Sequence, residues 1–165
     1  MKKYFFLFVF TFSLLSSCTI KETTTYYLIR HSEKDRTDKT NKNPNLNSDG
    51  LERAKKWAEH FKNIDLDAVY STKFNRTMQT AKPTAESKNL KIINYNPRKM
   101  YDSIFQKNTK GKTVLIVGHS NTTPAFVNKI IGVKKYKNID DNDNSSLFIV
   151  TLSNDKKTSE IKIVN

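Results

Sequence analysis

Cysteine is almost absent from this sequence: Cys18 is the only one in 165 residues, so no disulfide can form within one chain. Acidic residues are also scarce, with 16 Asp and Glu against 29 Lys and Arg and a formal charge of +13. No block of five or six like charges occurs, which is typical of a solvated basic surface. The surplus favours anionic partners in general, but we expect no nucleic acid partner.

Two familiar ligand-binding motifs are incomplete. "GKT", residues 111–113, resembles the end of a Walker A loop, but Gln106 stands where that loop needs glycine, and a strand is predicted to follow. "DDNDN", residues 140–144, lacks the glycine and closing glutamate of an EF-hand loop, and we interpret it as a polar turn. No third ligand accompanies His31 and His119, so we predict neither a metal site nor a cofactor.

The N-terminal segment has the pattern of an export signal. Lys2 and Lys3 precede an apolar stretch over residues 4–15, which is shorter than the roughly 20 residues that span a bilayer and is typical of a signal peptide. "LSSC", which ends at Cys18, resembles the lipobox of bacterial lipoproteins. The resemblance implies that Cys18 is lipidated and becomes the mature N terminus. An ordinary cleaved signal peptide with an incidental cysteine is the alternative.

We therefore divide the chain into three parts: a signal peptide over residues 1–17, the lipidated Cys and a polar tether over 18–23, and a folded domain over 24–165. This division predicts a protein of the cell envelope that is anchored to a membrane and faces the periplasm or the cell exterior. At this length one domain with one core is expected, and we expect a monomer.

Strand-like and helix-like segments alternate through the domain. This pattern predicts an α/β fold, a three-layer α/β/α sandwich with a mixed, mostly parallel central sheet. The expected strands are residues 23–30, 67–71, 91–95 and 113–119, with a closing hairpin of 145–152 and 159–164. The first expected helix begins at a capping box formed by Asp49 and Glu52. Three further helices are expected over residues 75–88, 99–108 and 123–131.

We also predict structural roles for four single residues in these helices. Trp57 lies beside an apolar stripe and is expected to pack in the core, while His60 is interpreted as a helix-end residue. Pro83 is expected to kink its helix. Thr123 is predicted to cap the last helix, with proline next in the first helical position.

Two predicted strands end in histidine followed by serine. "YYLIRHSE" delivers Arg30 and His31, and "VLIVGHSN" delivers His119. Ligands of such sheets bind outside the carboxyl ends of the strands, so both histidines should face one crevice. Arg76 opens the helix after a third strand. Two guanidinium groups and two histidines suit a phosphoryl group, because guanidinium binds its oxygens bidentately and neutral histidine is nucleophilic.

The three motifs "LIRHSE", "STKFNRTMQTA" and "VLIVGHSN" occur in the order typical of the histidine phosphatase superfamily, whose fold is called phosphoglycerate mutase-like. The resemblance implies that His31 attacks phosphorus and becomes a phosphohistidine, while Arg30 and Arg76 hold the phosphoryl oxygens. His119 would be the second pocket histidine. Ser32 stands where many members have glycine.

The same resemblance implies less specific roles for two more residues. Asp102 is the carboxyl group nearest to the segment that usually supplies the proton donor, and a solvated helix residue is the alternative interpretation. Asn121 would add a phosphate contact.

The first hypothesis is a metal-independent histidine acid-type phosphatase that hydrolyses a phosphate monoester, or a related small phosphorylated compound, through phosphohistidine. A mutase-like phosphotransferase would share the pocket, but such enzymes are typically longer. A lipoprotein that binds phosphate or another anion without catalysis is the alternative from a different class.

Overall fold

The computed structural model describes residues 22–154 and 156–164, and within them six strands form one sheet. The strands are β1 (Thr23–Arg30), β2 (Ala68–Ser71), β3 (Ile92–Asn94), β4 (Thr113–Gly118), β5 (Ser146–Ser153) and β6 (Lys156–Ile163). The helices are α1 (Ser48–His60), α2 (Asn75–Ser87), α3 (Ser103–Thr109) and α4 (Thr122–Ile131), with a short 3₁₀ turn at Pro97–Lys99.

The sheet is mixed, in the order β3-β2-β4-β1-β5-β6. Strands β3, β2, β4 and β1 run parallel to their neighbours, whereas β5 is antiparallel to β1 and β6 is antiparallel to β5. The four parallel strands therefore end at one edge of the sheet. The predicted α/β fold with a mostly parallel central sheet is confirmed.

Helices cover both faces of the sheet, which completes the predicted three layers. Strand side chains alternate between the faces, so Tyr26 and Leu28 pack with residues of α3 and α4, such as Phe105 and Phe126. The other face packs against α1 and α2, where Trp57 is 1% exposed. Burial of a large apolar side chain contributes about 1.5–3 kcal/mol, so the two cores hold the strand ends in fixed positions.

Three helices begin at residues other than the predicted ones, because capping side chains and local backbone conformation set the first residue of a helix. The side chain of Asn47, not Asp49, caps α1 by accepting a hydrogen bond from Gly50 N. The predicted helix over residues 99–108 is broken at Tyr101, which has a φ of +58°. Asp102 then caps the shorter α3. Helix α4 already begins at Thr122, one residue before the predicted cap.

The remaining elements follow the expected order with small shifts. Helix α2 runs through Pro83 without ending there, and α4 ends at Gly132, whose φ of +80° suits glycine. In the closing hairpin β5 is shifted by one residue from the prediction, and β6 begins three residues earlier than predicted, at Lys156. The proposed signal peptide and Cys18 lie outside the described residues. Among the residues that are described, no helix is long and apolar enough to cross a membrane.

Candidate active site

The site forms where β1 and β4 end side by side. Arg30, the last residue of β1, is in register with Gly118, the last residue of β4. His31 and His119 are therefore the next residue on each strand, and His31 N donates a hydrogen bond to Gly118 O at 2.9 Å. The centroids of the two imidazole rings lie 5.5 Å apart. The pairing of parallel strands thus brings together two histidines that are 88 positions apart in the sequence.

Arg76 enters the site from the first turn of α2. Its guanidinium carbon lies 4.5 Å from the centre of the Phe74 ring, and that ring contacts His119 edge to face at 5.1 Å between centroids. The Nε and Nη1 atoms of Arg76 are buried and have no hydrogen-bond partner among the described residues. Burial, followed by the charge of Arg30, lowers the pKa of Arg76.

Arg30 is held by the loop that precedes β5. Its Nη1 donates to the carbonyl oxygens of Asp140 and Asp143 at 2.7 and 3.1 Å. Its Nη2 donates to Asp141 Oδ1 at 2.5 Å. A guanidinium has five N–H donors, so Nε–H and one Nη2 proton are left, and Nε is buried with no partner in the described ranges. The loop therefore fixes the side chain while leaving donors for a ligand.

His31 is oriented so that one ring nitrogen is available. Its Nδ1 lies 2.7 Å from Ser32 O, and because a carbonyl oxygen only accepts, the neutral ring carries its proton on Nδ1. The Nε2 lone pair is then unprotonated. Burial lowers the pKa of His31 to about 3, with further contributions from Arg30 and Arg76, so the ring is neutral near pH 7. Asn144 Nδ2 donates to His31 O at 2.7 Å and holds the backbone.

His119 is oriented by hydroxyl groups. Its Nε2 lies 2.9 Å from Thr72 Oγ1, and Thr72 Oγ1 lies 2.9 Å from Thr77 Oγ1. His119 N donates to Thr122 Oγ1. Burial and then the charge of Arg76 lower the pKa of His119 to about 4. Both histidines are thus neutral bases beside two permanent cations.

Buried contacts support the loop after His31. Ser32 is fully buried and its backbone N donates to Thr80 Oγ1 at 2.9 Å, while its own Oγ has no hydrogen-bond partner among the described residues. Glu33 forms an ion pair with Arg53 at 2.7 Å. A Cβ added to Gly50 would lie 2.0 Å from Glu33 O. Only glycine lets α1 approach this closely.

Within the described residues, two of the predicted site residues make no hydrogen bond to this cluster. Asp102 caps α3, where its Oδ1 accepts a hydrogen bond from Phe105 N at 2.8 Å. It borders a depression whose lining includes Tyr70 and Tyr95 but neither site histidine. Asn121 is exposed at the start of α4 and makes no capping hydrogen bond. The structure therefore brings together Arg30 and Arg76 with both histidines, and it does not add Asp102 to them.

Several residues that the sequence motifs did not single out border the site. Asp141 and Asn144 come from "DDNDN", which was interpreted only as a polar turn, and Thr72 precedes Arg76 in a quoted motif. Lys34 lines the same depression as Arg30 and His31, a cavity of about 420 Å³. Thr72 could have been predicted as a site residue, because it directly follows a parallel strand. No sequence pattern pointed to the loop residues Asp141, Asn144 and Lys34.

Comparisons with known proteins agree with this geometry. A family model for the histidine phosphatase superfamily (branch 1) matches residues 26–96, a range that contains Arg30, His31 and Arg76 but not His119. No curated protein matches the chain.

Solved structures share the fold at low sequence identity. The protein histidine phosphatase SixA complexed with tungstate is 15% identical with a TM-score of 0.68, over 85% of this chain and 96% of that chain. Phosphoglycerate mutase from Bacillus anthracis is 14% identical with a TM-score of 0.66, over 85% and 92%. A phosphoserine phosphatase mutant from Entamoeba histolytica, in complex with phosphoserine, is 15% identical with a TM-score of 0.63, over 86% and 97%.

The sequence match covers the first two motifs, and the fold supplies the third at the end of β4. The family model matches 71 of the 165 residues, and the solved structures share the fold, so the chain resembles the histidine phosphatase superfamily in its first two motifs and in its fold.

Proposed function

We propose that the chain is a metal-independent phosphatase that hydrolyses a phosphate monoester, or a related phosphorylated compound, through a phosphohistidine on His31. The similarity to the histidine phosphatase superfamily supports phosphatase or phosphotransferase activity in general. The observation that carries the proposal is the set of buried guanidinium donors without partners, on Arg30 and Arg76. Buried polar groups in proteins are normally satisfied, so these donors are suited to a phosphoryl group.

The first chemical step follows from the tautomer of His31. Its unprotonated Nε2 attacks phosphorus and forms a P–N bond as the P–O bond to the leaving group breaks. The leaving oxygen takes a proton. Arg30 and Arg76 bind the equatorial oxygens, whose charge they stabilise through the transition state. Ser32 O accepts from Nδ1–H and stabilises the positive charge that develops on the ring.

In the second step, water attacks phosphorus, the P–N bond breaks and inorganic phosphate leaves. His119 Nε2 is engaged by Thr72, so we assign Nδ1–H of His119 to donate a hydrogen bond to a phosphoryl oxygen. Two carboxylates near His31 form ion pairs, Glu33 through Oε1 with Arg53 and Asp141 with Arg30. Asp102 caps α3 away from both histidines, so we assign the proton that the leaving oxygen takes up to a solvent water.

The test is hydrolysis of an aryl phosphate by the full chain, purified in detergent. His31→Ala should abolish phosphate release, and an acid-labile phosphoryl group should appear on the wild-type chain after a rapid quench. His60→Ala, which changes an exposed histidine on α1, is the matched control and should retain activity. Hydrolysis that survives His31→Ala would contradict the mechanism. Tight vanadate binding without turnover of any phosphate ester would favour the anion-binding alternative.

We also propose that Cys18 carries a lipid that anchors the protein to a membrane of the cell envelope. The "LSSC" pattern after an apolar stretch supports this. Intact mass of the protein recovered from membranes should show a lipid adduct that Cys18→Ser lacks. A soluble wild-type protein with an unmodified thiol would rule the anchor out.

A further inference from the structure

We propose that Lys34 forms a second anion-binding subsite, which selects substrates whose leaving group carries a negative charge close to the phosphoryl group. This inference deepens the proposed function and rests on it. It assigns the leaving group to organic acids or to compounds with a second phosphate, in preference to neutral alcohols and phenols.

The position of Lys34 is fixed by its backbone. Lys34 forms an isolated antiparallel bridge with Leu46, and Asp35 N donates to Asn45 O at 2.8 Å. Leu46 N in turn donates to Gln79 Oε1 of α2 at 2.7 Å. The residue is therefore held at the base of its loop rather than on a free tip.

The surroundings of Lys34 are strongly cationic. Burial lowers its pKa, and the charges of Arg36, Arg76 and Arg30 lower it further. Lys34 lines the same depression as Arg30 and His31, and its charge also contributes to the lowered pKa of His119. Like charges held together in this way are costly unless an anion joins them.

Asp141 forms ion pairs with two neighbouring arginines, whereas its charge acts on Lys34 without direct contact and partly offsets the lowering of the pKa of Lys34. Asp141 contacts both Arg30 and Arg36, at 2.5 and 2.8 Å. The carboxylate of Asp35 accepts from the backbone and hydroxyl of Thr37, both at 2.8 Å. Within residues 22–154 and 156–164, the ammonium group of Lys34 makes no ion pair of 4.0 Å or less and no hydrogen bond.

Lys34 lines the same depression as the nucleophile. The depression is lined both by buried residues, among them Arg30 and His31 at 2% and 4% exposed, and by exposed ones such as Arg36 and Asn142. Lys34 is partly buried. A substrate whose phosphoryl group is at His31 would have its leaving group in the depression that Lys34 lines, which is the basis for assigning Lys34 to the leaving group.

The experiment uses two substrates that differ in charge but little in size, meta-carboxyphenyl phosphate and meta-carbamoylphenyl phosphate. For the full chain, Lys34→Met should lower kcat/KM for the carboxylated substrate by about tenfold, as expected for loss of a charge-assisted contact. It should lower the value for the neutral substrate at most about threefold. Lys55→Met, an exposed lysine on α1, removes the same charge and should leave the ratio of the two values unchanged.

Two results would overturn the proposal. If Lys34→Met lowers both values equally, Lys34 binds the phosphoryl group itself, and if Lys55→Met changes the ratio as much, the effect is one of general surface charge. A binding measurement keeps this test separate from catalysis. In the His31→Ala background, calorimetric affinities for the two compounds should show the same tenfold change in ratio. Wild-type protein that binds both compounds but turns over neither would refute the proposed function, while the affinity ratio would still decide the role of Lys34.

Discussion

Replacing Arg76 with methionine should lower activity and raise stability in the same variant. Methionine keeps an unbranched apolar stem that can lie against Phe74, but it removes the guanidinium group. Among the residues that the structure describes, that group has two buried atoms without hydrogen-bond partners, and it lies near the cation of Arg30. In the phosphoryl complex those same atoms would be donors. The two effects therefore have opposite signs.

The expected loss of activity follows from the number of contacts. Arg76 offers Nε and Nη1 to phosphoryl oxygens, and a hydrogen bond to a charged group contributes about 1.5–3 kcal/mol. Loss of both corresponds to about 3–6 kcal/mol of transition-state stabilisation, which is roughly 10²- to 10⁴-fold in kcat/KM.

The expected gain in stability is smaller. An unsatisfied buried donor costs about 1–3 kcal/mol, but the site opens to solvent and Arg76 is only half-buried, so we take the lower end. The contact with Phe74 offsets about 0.5–1 kcal/mol of this. A net gain of about 1 kcal/mol in the free energy of unfolding would raise Tm by roughly 3 °C for a domain of this size.

Thermal unfolding with and without inorganic phosphate measures both effects. Arg76→Met should have the higher Tm without phosphate, and phosphate should raise Tm of the wild type but not of the variant, because only a ligand that binds the folded state stabilises it. Arg98→Met, an exposed arginine in the 3₁₀ turn, is the control and should change neither. A variant that is less stable without phosphate, or that responds to phosphate like the wild type, would refute this reasoning.

Three further predictions concern the histidines and their neighbours. The folded pKa values of His31 and His119, about 3 and 4, lie below the ordinary value of 6.5. Between these values and pH 6.5 the unfolded chain binds more protons than the folded chain. The free energy of unfolding from urea titrations should therefore fall as the pH falls below 6.5, by up to about 1.4 kcal/mol per pH unit for each histidine. Asparagine at both positions should flatten that slope, and an unchanged slope would show that these pKa values are not lowered. Asp102→Asn, which can still cap α3, should keep kcat/KM for an aryl phosphate within about threefold, whereas a hundredfold loss would restore it as proton donor. Thr72→Val should lower kcat about tenfold and shift the pH profile, by loss of one hydrogen bond to His119, and Thr72→Ser should restore both; equal losses in the two variants would exclude a role in orienting that ring.

The sequence predicted the parts of the site that depend on strand ends. Apolar runs identified β1 and β4, and the rule that ligands bind at the carboxyl ends of parallel strands predicted that His31 and His119 would meet. Arg76 followed from the same rule, because it opens the helix after β2. These inferences need only the period of the hydrophobic pattern and the direction of the strands.

The support of Arg30 could not be predicted in this way. Its partners lie in the loop over residues 140–143, which is 110 positions further along the chain, and two of the contacts use backbone carbonyl oxygens, which carry no signature in side-chain type. Asp102 is a different case. Its place after the third strand suggested either a proton donor or a solvated helix residue, and in the structure its side chain caps α3 directly after Tyr101, which has a positive φ. Its role as proton donor stays a prediction.

The bridge between Lys34 and Leu46 has a consequence for how this protein can change over evolution. Hydrogen bonds at its base, from Asp35 N to Asn45 O and from Asn47 N to Glu33 O, close residues 36–44 into a module that is exposed almost throughout. Closing a longer loop costs little extra entropy, about 0.6 kcal/mol per doubling. Insertions and exchanges in this module could therefore alter the range of leaving groups while His31, Arg30 and Arg76 stay in place. This makes residues 36–44 the segment into which a new substrate specificity could be introduced.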